Sequence, residues 1–327
     1  ILGVKYDNGE GVEQNDAEAV KWYRKAAEQG NARAQCNLGV KYDSGKGVAQ
    51  DESEALRWFL KAAQQGSKTA LHNLTVIASR GNSIAQFNLA EIYQAGLNVE
   101  QDDVKAAHWY YKAAQQGNPE AQLILGEKFS NSEGVGQDFT QATKWYLKAA
   151  TQGNVRAQIN LGMMYRRGEG IARDDAEAAK WFQKAAEQGN AYAENLLGGM
   201  YQEGRGVPHD YAQAVKWYRQ AAEQGDADAQ NSLGLMYFNG KGVQRDDTEA
   251  ARWYLKTAET GNAYAQNLLG EMYQEGRGVI RDDAEAVKWF RKAAEQGNAE
   301  AQFNLGIKYD KGEGLEADDD QAAHWFR

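Results

Sequence analysis

Apolar residues recur at four-residue steps, as Ala34, Leu38 and Tyr42 do, and the pattern restarts every 36 residues along most of the chain. Such steps place the three side chains on one face of a helix. Asn31 stands just ahead of that run, where a side-chain oxygen can accept from the free amides of a first turn. Gly45-Lys46-Gly47 then stops the helix, because glycine takes positive φ at little cost. A second apolar face follows, with Ala55, Trp58, Phe59, Ala62 and Ala63. Asp51 and Glu54 precede it in the order of a capping box, and Gly66 ends it. Residues 30–66 are therefore expected to form a helical hairpin with one apolar side. A hairpin of this kind buries that side only against a neighbour, so the chain is expected to be an all-α, curved solenoid of 36-residue helix-turn-helix repeats.

Two features sharpen the pattern. Gly39 follows Leu38 inside the first helix and recurs at 3, 126, 162, 198, 234, 270 and 306. Helical glycine costs about 1 kcal/mol relative to alanine, so the recurrence points to a close approach between the paired helices. Tryptophans fall at 22, 58, 109, 145, 181, 217, 253, 289 and 325, every gap being 36 residues except the 51 between Trp58 and Trp109. The leucines explain that exception: Leu74 keeps the step from Leu38, yet Leu89 follows only 15 residues later. One repeat near residues 67–81 has lost 21 residues, namely its loop and Trp-bearing helix, and Val76-Ile77-Ala78-Ser79 runs straight into Arg80-Gly81-Asn82. The orphan helix near 68–79 is expected to alter the curvature and to make a local weak point. Residues 1–327 are taken as a single array of about nine hairpins plus this helix, cut within a repeat at Ile1 and within a helix at Arg327.

The stretches "LGMMYRRGEGIARDDAEAAKWFQKAAEQGN" (161–190) and "LGEMYQEGRGVIRDDAEAVKWFRKAAEQGN" (269–298) resemble the Sel-one-like repeat family, relatives of tetratricopeptide repeats. The Leu-Gly-x-x-Tyr element matches the tetratricopeptide pattern, while the period of 36 exceeds 34 by the length of the Gly-x-Gly-Val loop. The resemblance covers essentially the whole chain. It implies a right-handed superhelical α/α solenoid whose first helices line the concave surface. It also implies a non-catalytic scaffold or adaptor that binds a protein or peptide partner there. Bacterial members make a periplasmic or secreted location the first expectation and a cytoplasmic one the second.

Composition narrows the alternatives. The net charge is −9 and acids alternate with bases along the helices, so a phosphate-tracking surface is not expected. No apolar run is long enough to span a bilayer. The single cysteine, Cys36, is read as a packing residue. His72, His108, His209 and His324 have no partner at metal-ligand spacing, and no metal or cofactor is expected. Loops such as Gly204-Arg205-Gly206 follow helices and lack the third glycine of a phosphate cradle, so they are read as helix stops. Paired acids such as Asp174-Asp175, Asp246-Asp247 and Asp282-Asp283 suit helix N-termini without any ligand. The competing function is a secreted hydrolase or carbohydrate-binding protein, since disulfide-rich members of the family have been linked to β-lactams. This chain lacks their cysteine pairs, and no serine is followed three residues on by lysine.

Candidate partner contacts lie on the first helices. One row reads Arg33, Glu120, Arg156, Tyr192, Asp228, Tyr264, Glu300, in which the tyrosines are possible anchors. A second holds Asn37, Asn88, Asn160 and Asn304, with Asn195, Asn231 and Asn267 in the adjoining position. Amides spaced in this way can bond the backbone of an extended peptide. Arg33 and Arg156, these seven asparagines, Tyr192 and Tyr264 are the expected binding residues. Met164, Met200, Met236 and Met272 directly precede core tyrosines and are read as packing.

Overall fold

The computed structural model describes residues 1–327 and contains nineteen helices. They are α1 (Leu2–Asn8), α2 (Asp16–Glu28), α3 (Ala32–Ser44), α4 (Glu52–Gln64), α5 (Lys68–Ser79), α6 (Ser83–Ala95), α7 (Asp103–Gln115), α8 (Pro119–Asn131), α9 (Phe139–Thr151) and α10 (Val155–Arg167). There follow α11 (Asp175–Ala186), α12 (Ala191–Glu203), α13 (Tyr211–Glu223), α14 (Ala227–Asn239), α15 (Asp247–Glu259), α16 (Ala263–Glu275), α17 (Asp283–Glu295), α18 (Ala299–Lys311) and α19 (Asp319–Trp325). By its contacts the chain divides into two compact units, Ile1–Ala157 with Glu169–Ile171, and Gln158–Gly168 with Ala172–Arg327. Apart from α5, the helices alternate between first and second members of hairpins.

Local capping starts the helices where the sequence places it. The Ala34 amide donates to Asn31 Oδ1 at 2.9 Å, and the Glu54 amide donates to Asp51 Oδ1 at 3.0 Å. The second half of the capping box is absent. Glu54 turns its carboxylate to Arg57 at 2.9 Å and to Trp58 Nε1 at 3.1 Å, and the Asp51 amide donates instead to the Tyr42 carbonyl at 3.0 Å. That last bond closes each loop back onto its own first helix.

Packing explains both glycines of the pattern. A Cβ on Gly39 would lie 2.7 Å from the Phe59 ring, so the glycine admits an aromatic face against the backbone of its own hairpin. Gly45 ends α3 in the left-handed region, as a helix stop should. Gly47 does something more: a Cβ there would lie 2.3 Å from the Asp16 carbonyl, in the repeat before. The second loop glycine is therefore an inter-repeat contact of backbone on backbone.

A buried amide ladder joins successive repeats as well. Gln35 Nε2 donates to the Ala27 carbonyl at 3.1 Å and accepts, through Oε1, from Gln65 at 2.8 Å. Gln86, Gln122, Gln230, Gln266 and Gln302 make the same bond to a carbonyl eight residues earlier. Each adds a second donor to a helix C-terminal carbonyl that already accepts from the glycine amide three residues on, as Ala27 does from Gly30 at 3.0 Å.

The tenth position of the first helices is a core position. Met164, Met200, Met236 and Met272 are buried there, as expected for packing. Lys41 and Lys308 at the same position are buried too and carry their own counter-charges, whereas the buried Lys128 Nζ makes no hydrogen bond and lies 3.8 Å from Asp103. Lys41 bonds Asp7 and Asp16, and Lys308 bonds Asp283 at 2.7 Å and Glu313 at 2.9 Å.

Helix α5 occupies the place of the missing sequence, with bounds matching the 68–79 expected. It is entered by a three-residue turn (65–67) and left by another (80–82), both of the kind that joins a second helix to the next first helix. Toward α4 it therefore behaves as a first helix. Toward α6 it behaves as a second helix, because Gln86 Nε2 donates to the Ala78 carbonyl at 2.9 Å. Leu74, Ile77 and Ala78 are sealed in one core with Phe59, Ala62, Leu89 and Ile92, so the apolar interior runs unbroken through the expected weak point. The loop after α6 loses its normal neighbour and adapts. Asn98, at φ 57° in place of the second glycine, donates through Nδ2 to the Gln64 carbonyl at 3.0 Å, at the end of α4.

Candidate functional site

The second residue of each first helix points outward, half a turn past its cap. In the first unit, Arg33 and Arg156 are exposed at this position, and so is Ile84 at 58 %. Ile84 was not among the expected residues, although counting from the Asn82 cap finds it. In the second unit, Tyr192 and Tyr264 hold the position at 46 % and 45 % exposure, accessible as anchors. Phe303, three residues further along its helix, is 57 % exposed and was also missed.

The asparagines do not form one open row. Asn37, Asn160 and Asn195 are half-buried on the first helices. Asn88 donates to the Ile84 carbonyl of its own helix at 2.8 Å. Asn231 is half-buried, and its Oδ1 is shut from solvent without a hydrogen-bond partner. Asn267 departs from the expectation, being completely buried and out of any partner's reach. Its Nδ2 donates to Glu271 Oε1 at 2.9 Å, and Asn304 Nδ2 donates to Asn267 Oδ1 at 3.2 Å and to Glu271 at 3.4 Å. The two amides thus support a carboxylate instead of meeting a peptide. The physical reason is the neighbouring helix α18, which covers the fifth position of α16.

Glu271 was invisible to the sequence rows because it lies one turn beyond Asn267, at the ninth helical position. Burial pushes its carboxyl above the usual range, the nearby Glu300 charge adds to that, and the two asparagine bonds oppose it. A second polar group is left over close by. Tyr254 is buried with its hydroxyl unpartnered, whereas Tyr218 donates to Gln202 at 2.9 Å and Tyr23 donates to Asp7 at 2.9 Å. The acceptor for Tyr218 comes from the twelfth position of its first helix, and Asp7 holds the equivalent place in the shorter α1. For Tyr254 that position is Phe238, which has nothing to offer a hydroxyl.

The four histidines are all exposed, and no three His, Cys, Asp or Glu side chains are grouped to hold a metal. Cys36 is buried in the core, which pushes its thiol up. No helix is long and apolar enough to cross a membrane. A cavity of about 620 Å³ adjoins Leu2, Trp22, Tyr23, Arg33 and Asn37, and one of about 400 Å³ opens beside α5 between Ala63, Leu71, Tyr93 and Val99.

Comparison with known proteins places this architecture. The Sel1 repeat profile matches residues 1–31, 32–67, 83–118, 119–154, 155–190, 191–226, 227–262, 263–298 and 299–327, stepping over α5. No curated protein sequence matches. Among solved structures, a protective antigen present in uropathogenic Escherichia coli strains is 39 % identical. The alignment covers 99 % of this chain and 74 % of that one, with a TM-score of 0.70. A Sel1 repeat protein from Oxalobacter formigenes is 34 % identical over 93 % of this chain and 84 % of its own, with a TM-score of 0.65. The chain belongs to the Sel1 repeat family, whose members generally mediate protein–protein interaction.

Proposed function

We propose that this protein is a non-catalytic scaffold that holds an extended protein or peptide segment across the groove side of its first helices. The observation carrying this reading is the pair Tyr192 and Tyr264. Both are half-exposed aromatic rings at the same position of α12 and α16, two repeats apart, on helices whose cores are fully sealed. A rigid aromatic ring loses little entropy on binding, and a fixed repeat sets the spacing between two of them. An exported location belongs to the same proposal, supported by the description of the uropathogenic relative as a protective antigen.

The test is affinity purification from the native host with the full chain as bait. The double variant Tyr192→Ala/Tyr264→Ala should lose its co-purifying protein, while Ile280→Ser, a change at an exposed loop residue, should keep it. Equal recovery by both variants would reject this face as the binding surface.

A further inference from the structure

In the first unit, the second position of one first helix and the ninth position of the preceding one form an ion pair. Arg156 Nη2 of α10 lies 2.9 Å from Glu127 Oε1 of α8. The same two positions in α18 and α16 are Glu300 and Glu271, both acids. Of the charges acting on Glu271, that of Glu300 on the neighbouring α18 is the strongest, and Glu271 has no lysine or arginine paired with it. The two positions of an ion pair are thus present with an acid in place of the cation.

A second observation points the same way. The buried Tyr254 hydroxyl, unpartnered, lies within electrostatic reach of both Tyr264 and Glu271. The Oδ1 of Asn231, on the adjacent α14, is also shut from solvent without a partner. Arg277, the cation near Tyr254, is paired with other acids, and its Nε is buried without a hydrogen bond. It sits 3.3 Å from Glu275, 3.7 Å from Asp247, and 4.0 Å above the Phe238 ring. What remains is the Glu271 carboxylate, held by Asn267 and Asn304 under the charge of Glu300, with the exposed ring of Tyr264 two turns earlier on the same helix.

We propose that Glu271 and Glu300, beside the ring of Tyr264, take the guanidinium of an arginine in an extended partner segment. The guanidinium restores the pairing that Arg156 makes with Glu127 from within the chain. Arginine suits the patch better than lysine, because its planar fork bonds two carboxylates while its face lies on an aromatic ring. Glu91 and Glu120 repeat the acidic pairing in α6 and α8, but Glu91 already accepts from the Tyr110 hydroxyl, so that pair is the internal control.

This inference rests on the scaffold reading, and the experiment separates the two. The full chain is titrated with N-acetyl-arginine amide and, in parallel, with the neutral citrulline analogue, while the NMR resonances of Tyr264 and Asn304 are followed. Saturable shifts are expected with the arginine compound only. They should weaken about tenfold or more in Glu271→Gln/Glu300→Gln, be unchanged in Glu120→Gln, and fade with added salt. Removing the like charges should not lower the melting temperature of the double variant, which confirms that it folds. Absence of shifts at Tyr264, or equal shifts with citrulline, overturns the proposal. If the Tyr192→Ala/Tyr264→Ala variant loses its co-purifying protein while Glu271→Gln/Glu300→Gln retains it fully, the arginine site falls and the scaffold face stands.

Discussion

Gln224 Nε2 donates to Glu194 Oε2 at 2.8 Å, at a buried position where seven other repeats carry a glutamine. The glutamines give their own N–H to the carbonyl eight residues earlier, and an ionised carboxylate has none to give to Ala186. Burial raises the Glu194 carboxyl above its ordinary value, with the Gln224 bond opposing. The folded state therefore binds this proton more readily than the unfolded one. The resulting penalty is present at neutral pH and is relieved as pH falls through the raised folded value. Glu194→Gln should stabilise the protein by about 1 kcal/mol at pH 7. Urea unfolding should show the gain vanish below about pH 4, where both states are protonated.

Lys308 is buried with Asp283 and Glu313, yet the equivalent position in four repeats is methionine. Asp283 has a second partner, Arg281, at 3.1 Å. Lys308→Met should therefore change stability by less than about 1 kcal/mol, since methionine fills the same space and the two acids it leaves are partly exposed, Asp283 keeping Arg281. Lys308→Ala should cost about 2–4 kcal/mol through the cavity it leaves. The hydrogen bond from Lys308, with help from Arg281, holds the Asp283 carboxyl below its usual range. Stability from the pair is then full above the ordinary carboxylate value and lost as pH falls through the depressed one. Thermal melts at pH 7 and pH 3 should differ less in Lys308→Met than in the parent.

Two glycines of one repeat should respond unequally to alanine. At Gly270 the new Cβ meets the Phe290 ring at 2.6 Å, and a ring can shift. The helix propensity of alanine offsets part of that strain, leaving a cost of about 1–2 kcal/mol. At Gly278, with φ at +68°, the Cβ meets the Asp247 carbonyl oxygen at 1.9 Å, and both are backbone. Gly278→Ala should cost about 3 kcal/mol or more and promote local opening between the repeats. Hydrogen exchange of the α15 first-turn amides would report it. Equal exchange in the two variants would contradict the inter-repeat role of the second loop glycine.

The orphan helix should behave as core. Leu74 is fully buried among Phe59, Ile77 and Leu89, so Leu74→Ala should cost about 3 kcal/mol, as much as Leu233→Ala in an intact repeat. A cost under about 1 kcal/mol for Leu74→Ala, measured by denaturant unfolding, would show that α5 is loosely held.

The hairpins, their caps and the bounds of α5 were legible because each depends on residues within a single repeat. Asn31 capping Ala34 and the 15-residue step to Leu89 are local facts of spacing. The candidate face was legible only in part. Tyr192 and Tyr264 stand where helical register puts them, but Asn267, counted with the open amides, is covered by α18, and Glu271 and Phe238 drew no notice. Their roles depend on which position of the next helix lies opposite, and a row read along one helix does not contain that.

Period, helix phase and capping chemistry thus determined that this chain is a stack of helical hairpins with one member shortened. Tertiary structure decided which polar side chains the stack uses up internally and which it leaves unsatisfied. Asn267 and the glutamine ladder are consumed between neighbouring repeats, while Glu271 lies under the like charge of Glu300 with no cation paired to it. The reason is physical: the cost of burying a polar group is fixed by the partner opposite it, and that partner comes from another repeat.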